Sequence, residues 1–328
     1  DFESYDTLEE MVRGALQVGE TDKGTTDVFF NIDEVMDDDY RHPIPIGIPG
    51  IDNLLKGGLA KGEIGVILAP TGVGKSTFTT KIANHAFNLG YNVLQIFFED
   101  NPKIIQRKHF TLWTGVHPDD LSENKIEVVE KIKHIQSTMK NKLIMKKLPS
   151  DTITMNQIKN QVRKMIAEGN KVDMIILDYI DCVVPDKNLG DEWKSEGSVM
   201  RGFESMCHEL DIAGWTATQG NRSSISSEVV TTDQMGGSIK KAQVGHVIIT
   251  VAKSLQQKEM NLATIAITKS RIGKDGIVFE NCKFDNGMLE IDTEQSVTFL
   301  GHEEQKEERN KNRIKELLER KKQKQQES

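Results

Sequence analysis

The chain has 328 residues, of which 37% are hydrophobic and 28% charged, and its formal net charge is −8. That length buries a substantial core, and the acidic balance excludes a general nucleic-acid coat, so any nucleic-acid contact must come from a local groove or pore lining. No run is apolar and long enough to span a membrane, and no basic–apolar–small leader opens the chain. The three cysteines, Cys182, Cys207 and Cys282, form no CxxC pair, and the eight histidines are scattered without an HExxH. This argues against zinc and a disulfide framework, and for a reducing, cytoplasmic setting. The first residue is Asp1 rather than Met, so residues are expected to precede it.

Residues 1–45 read as an amphipathic helix and a connecting segment. In "YDTLEEMVRGALQVG", Leu8, Met11, Val12 and Leu16 share a face and Thr7 with Glu10 has capping-box spacing. "DEVMDDDYRHPIP" reads as linker. From residue 46 to about 300 the texture is that of a folded domain. "IPIGIPGIDNLLKGGLAKGE" supplies glycines, a short helix and a turn, and "IGVILAP" is an unbroken apolar strand of the kind buried on both faces. A helix "KSTFTTKIANHAFNLG" closes at Gly90, and "YNVLQIFFED" is the next strand. Helical stretches then run to about Lys140, followed by strand "KLIMKKL", helix "TMNQIKNQVRKMIAEG", buried strand "VDMIILDYIDCVV", helix "GSVMRGFESMCHELDIAG" and strand "WTATQG". Two further strands, "GHVIITVAKS" and "LATIAITKSRI", precede a hairpin turning at Asn286-Gly287. The alternation predicts an α/β domain with a mostly parallel sheet. Residues 301–328 are mixed in charge and read as a solvated helix or frayed tail.

The strongest motif is "APTGVGKST", Ala69, Pro70, Thr71, Gly72, Val73, Gly74, Lys75, Ser76 and Thr77, between a buried strand and a helix. Such a P-loop uses glycines so that backbone N–H groups can wrap phosphate oxygens, a lysine for the β- and γ-phosphates, and a hydroxyl for magnesium. Lys75 and Ser76 take those last two roles, and Ala69 stands where the strict pattern has glycine. Asp178, ending the apolar run of "MIILDYID", fits a Walker B carboxylate that holds magnesium through water, with Asp181 close behind it. Glu99 ends the strand after the P-loop helix, where an open α/β sheet presents ligand-facing residues, and is the candidate general base. Gln219 ends another core strand and could report the γ-phosphate.

In this order these parts resemble the RecA-like P-loop ATPases, and most closely the DnaB-type replicative helicases, over roughly residues 46–292. "FFED", "IILDYID" and "TQGNRSS" resemble segments carrying that family's catalytic glutamate, Walker B acid and glutamine. "TKSRIGKDG" resembles the segment where these helicases carry a lysine and an arginine finger, matching Lys269 and Arg271. The resemblance implies ATP and Mg2+, a homo-hexameric ring on single-stranded DNA, 5'-3' unwinding, and primase, a helicase loader or single-strand binding protein as partners. In ring ATPases the finger comes from the neighbouring subunit, and such a cation is worth about 10³–10⁵ in rate. Lys269 and Arg271, two apart, project to one face, and Gly273 is read as letting the backbone turn away.

Two loops match those that line the family's central channel. One spans residues 184–198 with Lys187 and Lys194; the other spans residues 220–242 with Arg222, Gly237, Lys240 and Lys241. Short hydroxyls, backbone N–H groups and a few cations suit a strand held by its phosphates. Where the family tends to carry an Arg-Glu pair before Ser-Gly, this chain has Gln234 and Met235 before Gly236 and Gly237. The compact length and unusual loops lean towards a phage or plasmid version. A RecA/RadA-type recombinase filament and a KaiC-like ATPase without a DNA role remain the alternatives.

Overall fold

The computed structural model describes residues 27–37, 40–186, 192–220, 239–293 and 297–299. The helix expected over residues 5–19 and the tail from 301 to 328 lie outside the described residues. The chain forms two compact units, divided between Arg41 and His42. In the first, a short helix α1 (Ile32–Met36) occupies part of the segment read as linker, and it follows a turn in which Asp27 accepts from Phe29 N at 2.8 Å. Phe29, Phe30, Ile32, Val35 and Met36 are exposed.

The second unit is built on a ten-stranded sheet. After α2 (Pro49–Leu54) come β1 (Ile64–Ala69), α3 (Lys75–Asn88), β2 (Val93–Phe97), α4 (Pro102–Thr114), α5 (Lys125–Thr138), β3 (Leu143–Lys147), α6 (Met155–Ala167) and β4 (Met174–Asp178). Then follow α7 (Glu192–Glu209), β5 (Ala213–Gln219), α8 (Ile239–Val244), β6 (Val247–Ala252), α9 (Leu255–Glu259), β7 (Leu262–Ser270), β8 (Ile277–Asp285), β9 (Glu290–Asp292) and β10 (Val297–Phe299). The order β3-β2-β4-β5-β1-β6 is parallel throughout. β7, β8, β9 and β10 extend it with antiparallel pairings.

Local sequence sets the helix ends. Asn101 caps α4 by accepting from Lys103 N at 2.9 Å, with Pro102 in the first turn, and Thr154 with Gln157 forms a capping box at α6. β1 shows why the parallel strands carry no polar face. Ile67 and Ala69 join Phe78, Ile82 and Phe284 in one core, while Ile64, Val66 and Leu68 join Ile158 and Phe203 in the other.

Three segments differ from the sequence reading. α7 begins at Glu192, inside the stretch read as a loop over residues 184–198, so Lys194 lies on a helix. α8 occupies the end of the stretch read as a loop over residues 220–242. α9 fills the connection between β6 and β7, where Ser254 and Gln257 form a second capping box.

Gly273 has a different reason from the one read in the sequence. A Cβ there would lie 1.9 Å from the carbonyl oxygen of Leu54, so glycine is needed for close approach to α2 rather than to turn the chain. Gly273→Ala should therefore destabilise the fold by about 2–4 kcal/mol, since backbone cannot yield as a flexible side chain would. Urea denaturation checks this; an unchanged midpoint would mean that the α2 contact is loose.

Candidate active site

The C-terminal ends of the parallel strands gather the candidate residues along one edge of the sheet. Ala69 pairs in register with Gln219, and Phe97 with Asp178, so the P-loop, Glu99, Asp178 and Gln219 leave the sheet as neighbours. In the P-loop, Gly72 has φ +76° and Gly74 φ +124°. A Cβ on Gly74 would lie 2.3 Å from Asn286 Oδ1, so glycine serves both the backbone conformation and the seating of the β8–β9 turn. Asn286 Oδ1 also accepts from Thr77 Oγ1 at 3.0 Å. Lys75 lies at the start of α3, its ammonium 3.5 Å from the Ala69 carbonyl oxygen and 5.5 Å from the centre of the Tyr179 ring. Burial lowers its pKa, opposed by Asp178, Asp181 and Glu99.

Asp178 is buried, and Thr79 Oγ1 donates to its Oδ2 at 3.1 Å. Desolvation raises its pKa, against the hydrogen bonds from Ser76 and Thr79. The hydroxyl of Ser76 and the carboxylate of Asp178 are thus in contact, a hard-oxygen pair of the kind that magnesium takes beside phosphate oxygens and water. Among the described residues, no group of three or more His, Cys, Asp or Glu side chains could hold a metal by itself.

Glu99 is exposed, and Tyr179 OH donates to its Oε1 at 3.1 Å. Burial, then Cys182 and Glu99, raise the Tyr179 pKa, so the phenol keeps its proton. The Asp178–Tyr179 peptide is cis. Gln219 Nε2 donates to Thr71 Oγ1 of the P-loop. Its main chain is held by Asp181, whose Oδ2 accepts from Gln219 N at 2.9 Å while Thr218 Oγ1 donates to both carboxylate oxygens at 2.9 and 3.0 Å.

Lys269 and Arg271 stand elsewhere. Lys269 is in register with Ile248 near the start of β6, and Arg271 N donates to the carbonyl of His246, just ahead of that strand. They lie level with the beginning of β1, whereas the P-loop leaves its end. β1 has six residues, so its ends are about 17 Å apart, farther than an arginine side chain reaches. Instead both cations face α8. Lys269 Nζ donates to the carbonyls of Ala242 and Gln243 at 2.7 and 2.8 Å, and Arg271 to that of Gln243 at 2.6 Å. These are the last carbonyls of a helix, which favour a cation.

Of the residues assigned to DNA contact, Arg222, Gly237 and Lys187 lie outside the described residues, and the side chain of Lys240 is not described. Lys241, read as a loop cation, faces inward: it is 3% exposed, with Asp181 at 2.5 Å and Glu196 at 3.0 Å. Tyr179 and Thr79 were not singled out in the sequence, and Asn286 was read only as a hairpin-turn residue. Tyr179 directly follows Asp178 and Thr79 lies two residues after the P-loop motif, and only that closeness signalled them.

A family profile described as "DnaB-like helicase C terminal domain" matches residues 44–292. The chain belongs to this family. A DnaB-like replicative helicase of Enterobacteria phage T4 is 22% identical over 241 residues, covering 70% of this chain and 50% of that protein. The replicative DNA helicase DnaB of Buchnera aphidicola subsp. Baizongia pistaciae is 26% identical over 204 residues, covering 59% of this chain and 42% of that one. The chain thus spans half the length or less of these curated relatives. Among solved structures, one described as an ATPase domain superposes with a TM-score of 0.66 at 16% identity, covering 89% of this chain and 97% of that one. A DnaB-like replicative helicase, solved in work on its interactions with primase, gives 0.68 at 16% identity, covering 88% and 72%. The fold is therefore the RecA-like one expected. Among the described residues, no helix is long and apolar enough to cross a membrane.

Burial, then Arg271, push the Lys269 pKa down to about 8. The unfolded lysine titrates near 10.4, so between about pH 8 and 10 the unfolded chain binds more protons and stability rises with pH. Lys269→Met should flatten that part of the rise. Denaturation midpoints at pH 8 and pH 10 check this; an unaltered slope would show that the ammonium is fully solvated.

Proposed function

We propose that this chain is the motor segment of a DnaB-like replicative helicase. It would hydrolyse ATP with magnesium at subunit interfaces of a homo-hexameric ring and move 5'-3' on single-stranded DNA. Residues 46–300 would form the motor domain, residues 1–45 a linker to the neighbouring copy, and residues 301–328 an appended tail. The observation that carries this reading is the separation of Lys269 and Arg271 from their own P-loop. Family resemblance makes this pair the finger candidates, yet within one chain they bond to α8 at the end of the strands opposite the P-loop. In this reading they would serve the site of another copy.

In the proposed reaction, P-loop N–H groups and Lys75 bind the β- and γ-phosphates, and Ser76 and Asp178 hold the magnesium. When bound, that ion neutralises charge developing across the phosphates. Glu99, oriented by the Tyr179 phenol, takes up the proton of the attacking water. Gln219 senses the γ-phosphate from its place against Thr71. Arg271 and Lys269 of the adjoining copy stabilise the transferring phosphoryl oxygens. The loops containing Lys187, Arg222, Gly237 and Lys240 would track the DNA phosphates. A primase partner is proposed by likeness to the relative solved in work on primase, and a helicase loader and single-strand binding protein by family. The reading places the chain in the cytoplasm.

With ATP and magnesium, the chain should unwind a forked duplex and hydrolyse ATP faster on single-stranded DNA, while Lys75→Ala does neither. Absence of both activities in the intact chain removes the helicase reading. Filaments in place of rings by electron microscopy would favour the recombinase alternative. Glu99→Gln should bind nucleotide normally and lose turnover by about 10²-fold or more. Normal hydrolysis by that variant would assign the base to another carboxylate.

A further inference from the structure

Each chain touches two nucleotide sites in the ring reading: its own through Gln219, and a neighbour's through Lys269 and Arg271. One side chain stands between these two ends. Asp181 receives the main-chain N–H of Gln219 at 2.9 Å and the hydroxyl of Thr218 at 2.9 Å. The same carboxylate holds the ammonium of Lys241 at 2.5 Å, and Glu196 on α7 holds it at 3.0 Å from another direction. Lys241 belongs to α8, and the two residues after it, Ala242 and Gln243, present the carbonyls that receive Lys269 and Arg271. The path from Gln219 to the finger pair thus runs through one carboxylate, one ammonium and the two helix residues that follow it. We propose that Lys241, clamped between Asp181 and Glu196, is a positioning residue that couples the nucleotide state of one site to the placement of the cations lent to the next.

The physics suits a strut rather than a surface latch. An ammonium that is 3% exposed is held far more firmly than a solvated pair, because leaving either charge alone in that setting is costly. Burial alone would push the Lys241 pKa down, but Asp181 and Glu196 more than offset it, and the ammonium keeps its proton. A shift of Gln219 on phosphate binding moves its N–H, which Asp181 must follow or lose. Asp181 in turn carries Lys241, and α8 with it, relative to the anchor at Glu196. Lys269 and Arg271 hold the end of α8 and move together.

This inference rests on the composite-site reading, so the experiment tests both. The full chain is assembled on single-stranded DNA, and ATP turnover is measured against ATP concentration for wild type, Lys241→Met and Lys241→Arg, with nucleotide binding measured separately. Wild type should show a Hill coefficient above one. Lys241→Met should lower it to one and cut DNA-stimulated turnover by roughly 5- to 150-fold, the usual span of coupling between sites. Its nucleotide affinity should stay within about twofold of wild type, an effect too small to account for that loss. Lys241→Arg should keep most of the cooperativity. If Lys241→Met fails to fold, the double variant Lys241→Met, Glu196→Gln removes the ammonium and its α7 partner, leaves Asp181 on Gln219 N and Thr218, and is read in the same way. In parallel, Arg271→Ala chains are mixed with Lys75→Ala chains. Recovered turnover supports the composite site. If turnover recovers but Lys241→Met is folded and as cooperative as wild type, or wild type itself shows no cooperativity, the strut is wrong while the reading stands. If no mixture recovers turnover, both fall.

Discussion

The two halves of the proposed reaction centre lie at opposite strand ends of one sheet. β1 carries the P-loop at its far end, and β7, antiparallel to β6, brings Lys269 and Arg271 back to its near end. Strand direction imposes this, because a parallel set gathers its C-terminal ends on one side and an antiparallel neighbour returns to the other. The finger pair therefore cannot reach its own phosphate site by any change of rotamer. In the proposed ring each chain would hold two incomplete half-sites, and stacked copies would join the finger end of one chain to the P-loop end of the next.

The three lysines near these ends show how one fold treats the same cation differently. Lys75 pays for burial with a lowered pKa, and the acids around it are those a magnesium ion and a nucleotide would engage. Lys241 is more buried by exposure, yet two carboxylates keep it charged and fixed. Lys269 is hydrogen-bonded to backbone carbonyls, and burial and then Arg271 outweigh the acid Glu204 and push its pKa down to about 8. A cation held by neutral carbonyls can exchange them for phosphate oxygens at little cost, whereas one locked between carboxylates cannot. That contrast fits Lys269 to a mobile contact and Lys241 to a permanent one.

The P-loop was legible in the sequence because its chemistry is local: glycines, lysine and hydroxyl at fixed spacing between a buried strand and a helix. The strands bearing Asp178, Glu99 and Gln219 were legible from their apolar runs, and the structure brings their ends together through pairings such as Ala69 with Gln219. What the sequence hid depends on long-range approach. α8 sits at the end of a stretch dominated by glycine, serine and threonine, and packing against α7 overrides that local preference. The inward turn of Lys241 needs two acids that are 60 and 45 positions away in the chain, by subtraction of their numbers. Gly273 is set by a carbonyl more than two hundred residues earlier, that of Leu54. Tyr179 reads as one more aromatic after an apolar run until β2 and β4 are paired and its hydroxyl meets Glu99.

The central claim is that no single chain holds a complete reaction centre, and the most direct test is turnover per chain as a function of protein concentration. ATP hydrolysis on single-stranded DNA would be measured from well below to well above the assembly midpoint, with mass followed by sedimentation on the same samples. The account predicts that turnover per chain is near zero where the chain is monomeric and rises in step with the assembled fraction. Full turnover per chain in samples that sediment as monomers would contradict it.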